Sequence, residues 1–191
     1  MSLRSACTTF YWDYVTHGRR WHNRAVWAMA LYRYGRWVDS LRPSPFRKIL
    51  NKIYAVLSVV APTITGVVLD KATKVGRQLH IVHPGMVLIH PEAVIGERVG
   101  LMHGVTLGTS PTHPGCPTIG NDVFIGAYAT ILGGIKIGDG AKIAANSLVI
   151  CDVPSGATAI GVPAKVYPAT PAKPAVPLFR PQATAARAAS A

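Results

Sequence analysis

From Ile119 to Val149 the chain reads IGNDVFIGAYATILGGIKIGDGAKIAANSLV, and an Ile or Val returns at every sixth position: Ile119, Ile125, Ile131, Ile137, Ile143 and Val149. A helix repeats its apolar face every 3.6 residues and a strand every two, so neither sustains a strict period of six. A fixed short period is the signature of a solenoid. The same register begins earlier, with Leu69, Val75, Ile81 and Val87. It resumes after two extra residues as Ile89, Ile95, Leu101 and Leu107. Between Leu107 and Ile119 lies GTSPTHPGCPT, rich in turn formers, which reads as an excursion from the repeat. Three short strands per turn make a triangular prism with the recurring aliphatics stacked inside. Glycine follows the aliphatic at Gly76, Gly96, Gly108, Gly120, Gly126 and Gly138. These glycines are expected to adopt corner conformations closed to other residues.

The flanks differ. The boundaries expected are a helical N-terminal region at 1–62, the coil at 63–167 and a flexible Pro/Ala-rich tail at 168–191. Helical spacing runs from Arg24 to Leu41 through Trp27, Leu31, Tyr34 and Val38, and Pro43 and Pro45 break it. A second helix is expected from Phe46 to about Val60. Phe46, Ile49, Ile53, Val56, Leu57 and Val60 share one side, and Arg47, Lys48 and Lys52 the other. Its apolar side is expected to pack on the neighbouring domain; a second reading lays this basic amphipathic helix on an anionic membrane as a peripheral contact.

The formal charge of +12 is uneven. Residues 1–60 carry ten Lys or Arg against two acids, while residues 61–167 carry seven against six. Basic residues interleaved with Trp12, Trp21, Trp27 and Trp37 raise the question of nucleic acid. The aromatics fall mostly on the apolar helix face, which core packing explains, so no nucleic-acid partner is expected. Cys7, Cys116 and Cys151 have no CxxC spacing and form no disulfide framework. MSLRSACTTFYWDY lacks a signal-peptide core, and Pro62 and several threonines interrupt the longest apolar run. A cytoplasmic protein, at most peripheral to the inner face of the membrane, is the expectation.

The register selects two histidines. His83 lies two places after Ile81, and His103 two places after Leu101. Their separation of 20 is one eighteen-residue turn plus the two extra residues, which puts both at one corner of adjacent turns, roughly 5 Å apart along the stack. A neutral imidazole beside an acceptor hydroxyl is a suitable general base. His113 sits on the excursion, where it can touch substrate. Cys116 allows a competing scheme through an acyl-cysteine, although GCPT carries no sign of an activated thiolate and a small buried side chain is the better reading. Zinc enzymes on such coils use histidines five positions apart. From His80 to His113 the successive spacings are 3, 7, 13 and 10, so no metal is expected.

The pattern [LIV]-G-x-x-x-x, closed by GVPAKV at Gly161–Val166, resembles the hexapeptide-repeat acyltransferases over roughly residues 64–167. HGVTLG and CPTIGNDVFIGAYATILG look most like serine O-acetyltransferases and their polysaccharide-modifying, colanic-acid-type relatives. The resemblance implies a left-handed parallel β-helix behind a short helical region, acetyl-CoA as acyl donor, and a homotrimer with sites between subunits. It places the catalytic base on His83, within IVHPGMVLIHPEAVIG, and a secondary role on His103. It also implies that Gly108, Ala127 and Ala145 line a pantetheine groove, with Lys165 facing a phosphate and Lys142 assisting. Transfer would be direct, with backbone amides receiving the oxyanion.

Departures from that family bear on the acceptor. Val82 stands where an acid usually precedes the histidine, Val68 where an acid lies fifteen residues before it, and Gly115-Cys116 where Arg-His is usual. Asp70 could replace the second acid only if the strand shifts. Losing these partners disfavours a zwitterion, so a sugar hydroxyl of a polysaccharide or glycan precursor is preferred to serine. Serine O-acetyltransfer is the alternative, and a non-catalytic binding module the further one.

Overall fold

The computed structural model describes residues 3–169. Apart from its first two residues, the tail read at 168–191 lies outside them. The expected architecture is present: a left-handed parallel β-helix preceded by helices. One face stacks β1 (Val67–Leu69), β4 (Val87–Ile89), β7 (Thr106–Gly108), β10 (Thr130–Leu132) and β13 (Leu148–Val149). The second stacks β2 (Lys74–Val75), β5 (Val94–Ile95), β8 (Thr118–Ile119) and β11 (Lys136–Ile137). The third stacks β3 (His80–Ile81), β6 (Gly100–Leu101), β9 (Phe124–Ile125), β12 (Lys142–Ile143) and β14 (Thr158–Gly161), and β15 (Ala164–Tyr167) closes it antiparallel.

The six-residue period has a simple cause: each strand turns one side chain inward, onto its equivalent in the next turn. Ile81, Leu101, Ile125 and Ile143 stack in register, and so do Ile89, Leu107, Ile131 and Val149. All eight are buried. The two extra residues sit in the corner between Ile81 and Val87, because Val67 already pairs with Val87 and Leu69 with Ile89.

The glycines have a different role from the one expected. Gly76, Gly96, Gly120 and Gly138 each follow an inward aliphatic of the second face, and none has positive φ. A Cβ on Gly96 would lie 2.5 Å from the carbonyl oxygen of Gly120 in the next turn. Clearance between stacked backbones is what excludes a side chain there. The left-handed corner positions are held instead by Gln78, Met86, Arg98, Asp122, Tyr128 and Asn146 and by other glycines, Gly104, Gly140 and Gly156.

Three helices precede the coil: α1 (Leu3–Thr16), α2 (Arg24–Asp39) and α3 (Pro45–Thr65). Asn23 caps α2 through the Ala25 amide, and Ser44 caps α3 through the Arg47 amide. α3 runs past its expected end with Pro62 inside its last turn, and Gly66, at φ 70°, stops the helix. α1 has no counterpart in the sequence reading. Thr8, Thr9 and Thr16 blur its periodicity, each bonding the carbonyl four residues back.

Two packing expectations fail. Trp27 is 55% exposed, and Trp12 and Trp21 are exposed as well; α2 buries Ala25, Val26, Met29 and Tyr32 instead. The apolar side of α3 faces solvent at Phe46, Ile49, Ile53, Val56, Leu57 and Val60. α3 buries Tyr54, whose hydroxyl accepts the Lys71 amide, and Thr65.

Docking of the helices combines apolar contact, with Ala25, Ala28, Met29 and Tyr32 joining the core of the coil, and a set of polar bonds. The first turn of the coil presents unpaired backbone groups, which water or side chains must satisfy. The Tyr32 hydroxyl donates to the Thr73 carbonyl at 2.8 Å and accepts the Val75 amide at 3.2 Å. Arg33 donates to the carbonyls of Val75 and Gly76 while its guanidinium meets Asp13 of α1 at 2.8 Å. His17 Nε2 accepts the Ile81 amide at 3.1 Å, so Nδ1 carries the proton and donates to the Asp13 carbonyl at 2.7 Å. Burial pushes the Asp13 carboxyl upward, and its bonds to Arg33 pull it down less strongly.

Candidate active site

Four side chains occupy equivalent positions along one corner of the prism. His83, His103, Ala127 and Ala145 each lie two residues past a stacked aliphatic of the third face. The rings of His83 and His103 have centroids 6.2 Å apart at an interplanar angle of 60°. His83 is exposed and His103 half-buried. One imidazole thus reaches solvent, and an incoming hydroxyl, while the second sits behind it. The same row continues as alanines, so the corner changes from two rings to a shallow track without side-chain bulk. At the far end of the third face stand two exposed cations: Lys142 on β12, and Lys165 on β15, which pairs with Ile160 of β14.

Tyr128 completes the corner and is absent from the sequence reading. Its ring stands edge-on to His103, with centroids 5.1 Å apart and planes at 90°. Gly104 makes room: at φ 71° it takes the left-handed region, and a Cβ there would run into the Tyr128 ring. Tyr128 itself holds φ 57°, an unusual conformation for a bulky residue. Its signal in the sequence is slight, namely an aromatic one place beyond the histidine register. The amides of Gly104, Tyr128 and Asn146 bond carbonyls of the preceding turn, at Gly85, His103 and Ala127. They stiffen the corner and are not available to an oxyanion.

His80 lies behind His83. Its pKa is lowered to about 4, first by burial and then by the charges of His17 and His83. Its ring meets His17 edge-on at 5.1 Å. His80 is therefore neutral near pH 7 and lies between the helices and the histidine corner.

The remaining candidates lie elsewhere. Asp70, His90 and Gly108 follow Leu69, Ile89 and Leu107 of the first face, and so begin the next corner. Asp70 bonds the Ala72 amide at 2.7 Å and lines a groove with Tyr54 and Pro62. It is one corner away from His83. His113 is exposed on the excursion and meets the Thr112 hydroxyl at 3.0 Å. Cys116 Sγ lies 3.0 Å from His90 Nδ1, which also accepts the Glu92 amide. Among the described residues, His90, Glu92 and Cys116 bring metal-type ligand atoms within 4.8 Å of one another. Burial, and then the Glu92 charge, push the Cys116 thiol upward. A thiol held protonated is a poor nucleophile, and this arrangement gives no support to an acyl-cysteine.

Comparison with known proteins agrees with this geometry. Residues 116–151 match the bacterial transferase hexapeptide (six repeats) family. The chain is 44% identical over 115 residues to a serine acetyltransferase of Helicobacter pylori, covering 59% of this chain and 67% of that one. It superposes on the Brucella abortus serine acetyltransferase in complex with coenzyme A with a TM-score of 0.75 at 26% identity, covering 88% of this chain and 70% of the other. The Neisseria gonorrhoeae serine acetyltransferase in complex with serine gives 0.73 at 28% identity, with 87% and 71% covered. With such identity across two thirds of a relative and the same three-sided coil beneath it, this chain belongs to the hexapeptide-repeat acetyltransferases of the serine acetyltransferase type.

Proposed function

We propose that this protein transfers an acetyl group from acetyl-CoA to the hydroxyl of serine. The observation that carries the reading is the single row His83–His103–Ala127–Ala145, ending near Lys142 and Lys165. A thioester at one end and phosphates at the other match that row's order of imidazoles, small side chains and cations. An imidazole nitrogen of His83 takes the hydroxyl proton as the oxygen attacks the thioester carbonyl. The C–S bond then breaks, and the imidazolium returns its proton to the departing thiolate, leaving free coenzyme A and the ester. His103, braced by Tyr128, positions the acceptor beside His83. Gly108 and the Cys116 loop belong to a second corner. A threefold assembly setting one copy's second corner against the next copy's histidine row would bring both sets into one groove.

The sequence alone ranks a sugar hydroxyl first. The serine acetyltransferase relatives reverse that order. The sugar reading keeps one specific support, the neutral residues Val68, Val82 and Cys116 where charge partners for a zwitterion are expected. Thiol release from acetyl-CoA over a panel of serine, simple sugars and lipid-linked oligosaccharides decides between them. Serine is expected to give the highest kcat/KM; a glycan exceeding it by tenfold or so would put the sugar reading back in first place. His83→Ala is expected to lower kcat by about a thousandfold while coenzyme A affinity, read by calorimetry, changes by roughly twofold or less.

A further inference from the structure

The apolar stripe of α3 is the largest physical anomaly of this molecule. Phe46, Ile49, Ile53, Val56, Val60 and Ile64 recur at steps of three and four, forming one exposed line over roughly 30 Å of helix. Val56 is 66% exposed and Ile64 60%. A continuous apolar surface of this kind marks an interaction site.

The charges beside it define what covers it. α3 carries Arg47, Lys48 and Lys52 and no acid from Pro45 to Thr65. Lys48 and Lys52 are exposed and one turn apart along an edge of the stripe. At the other end the Arg24 guanidinium reaches the Ile64 carbonyl at 3.4 Å, and the exposed Trp27 lies one turn further along α2. Its indole N–H bonds the Trp21 carbonyl, and Trp21 is exposed as well. A second copy packed α3 against α3 would set cations against cations, with no carboxylate on α3 to answer them. A surface with an apolar interior, an anionic rim and room for amphipathic rings answers all three features.

We infer that α3 lies in the headgroup layer of an anionic lipid bilayer, with the stripe turned toward the acyl chains and Lys48 and Lys52 at the level of the phosphates. Their aliphatic stems allow that reach. Among the described residues no helix is long and apolar enough to cross a membrane, so the helix rests on the surface. The inference holds whichever hydroxyl the enzyme acetylates.

Sedimentation of the full chain with vesicles of phosphatidylcholine, with and without phosphatidylglycerol, tests it. The protein is expected to pellet with the anionic vesicles and far less with the neutral ones. Lys48→Gln/Lys52→Gln is expected to weaken partitioning roughly twentyfold. Ile53→Gln/Val56→Gln keeps every charge and is expected to weaken it about tenfold or more, with helix content by circular dichroism unchanged. If this second variant pellets like the wild type, net charge alone drives the contact and the inference fails. It fails equally if the wild type ignores the vesicles; a lower mass of the second variant by light scattering would then show that a further copy covers the stripe.

Discussion

In the coil, each inward side chain meets a similar side chain one turn away, and no single contact is special. In the helical region that caps it, Ala25, Ala28, Met29 and Tyr32 continue the apolar core, and the polar docking contacts are few and unique: Asp13 with Arg33, Tyr32 with Thr73 and Val75, His17 with Ile81. Charge divides the same way, with ten Lys or Arg against two acids before residue 61 and near balance through the coil. The lesson concerns robustness. A repeated apolar stack spreads its free energy over many equivalent layers, whereas a buried polar junction concentrates it in a few bonds that fail together.

Removing one partner at the junction should have the largest effect. Asp13→Ala leaves the Arg33 guanidinium buried with carbonyl partners alone, and a loss of about 3–5 kcal/mol in urea unfolding is expected. A loss below about 1 kcal/mol would show that the apolar contacts of Ala25, Ala28, Met29 and Tyr32 carry the docking instead.

The next effect is acid sensitivity at the same junction. The folded pKa of His80 is depressed to about 4, so its contribution is fully present above the unfolded value of roughly 6.5 and is lost as pH falls toward 4. Below pH 6.5 the unfolded chain binds a proton that the folded chain refuses. Stability should fall by about 2 kcal/mol across that window, and His80→Gln should flatten the fall when denaturation is compared at pH 7 and pH 4.5. An unchanged slope in the variant would remove His80 from the acid response.

The smallest effect tests the uniformity of the coil. Ile119→Val, Ile125→Val and Ile131→Val each delete one buried methylene and should each cost about 1 kcal/mol. A spread much wider than roughly 0.5 kcal/mol would mean that the layers are not equivalent, and the contrast with the junction would weaken.

The meeting of the two histidines was legible because a solenoid turns sequence separation into position by simple remainder. Counting from Ile81 and Leu101 was enough to bring His83 and His103 together, and the same count carries Ala127 and Ala145 into their row. Tyr128 escaped the count because its role depends on a left-handed backbone and on the space over Gly104. His90 beside Cys116 escaped because the excursion has no period to follow. The apolar side of α3 was visible as a pattern, but amphipathicity names a face without naming what covers it.

The amino-acid sequence by itself determined the period, the inward stack, the neutral coil between basic flanks and the meeting of two imidazoles at one edge. Tertiary structure alone decided that the repeated glycines serve clearance, that Asp70 lies a corner away from His83, and that α3 turns its apolar side outward. The reason is physical: repetition propagates one local geometry through every turn, whereas docking and exposure depend on contacts made once, between segments whose spacing in the chain carries no information about their distance in space.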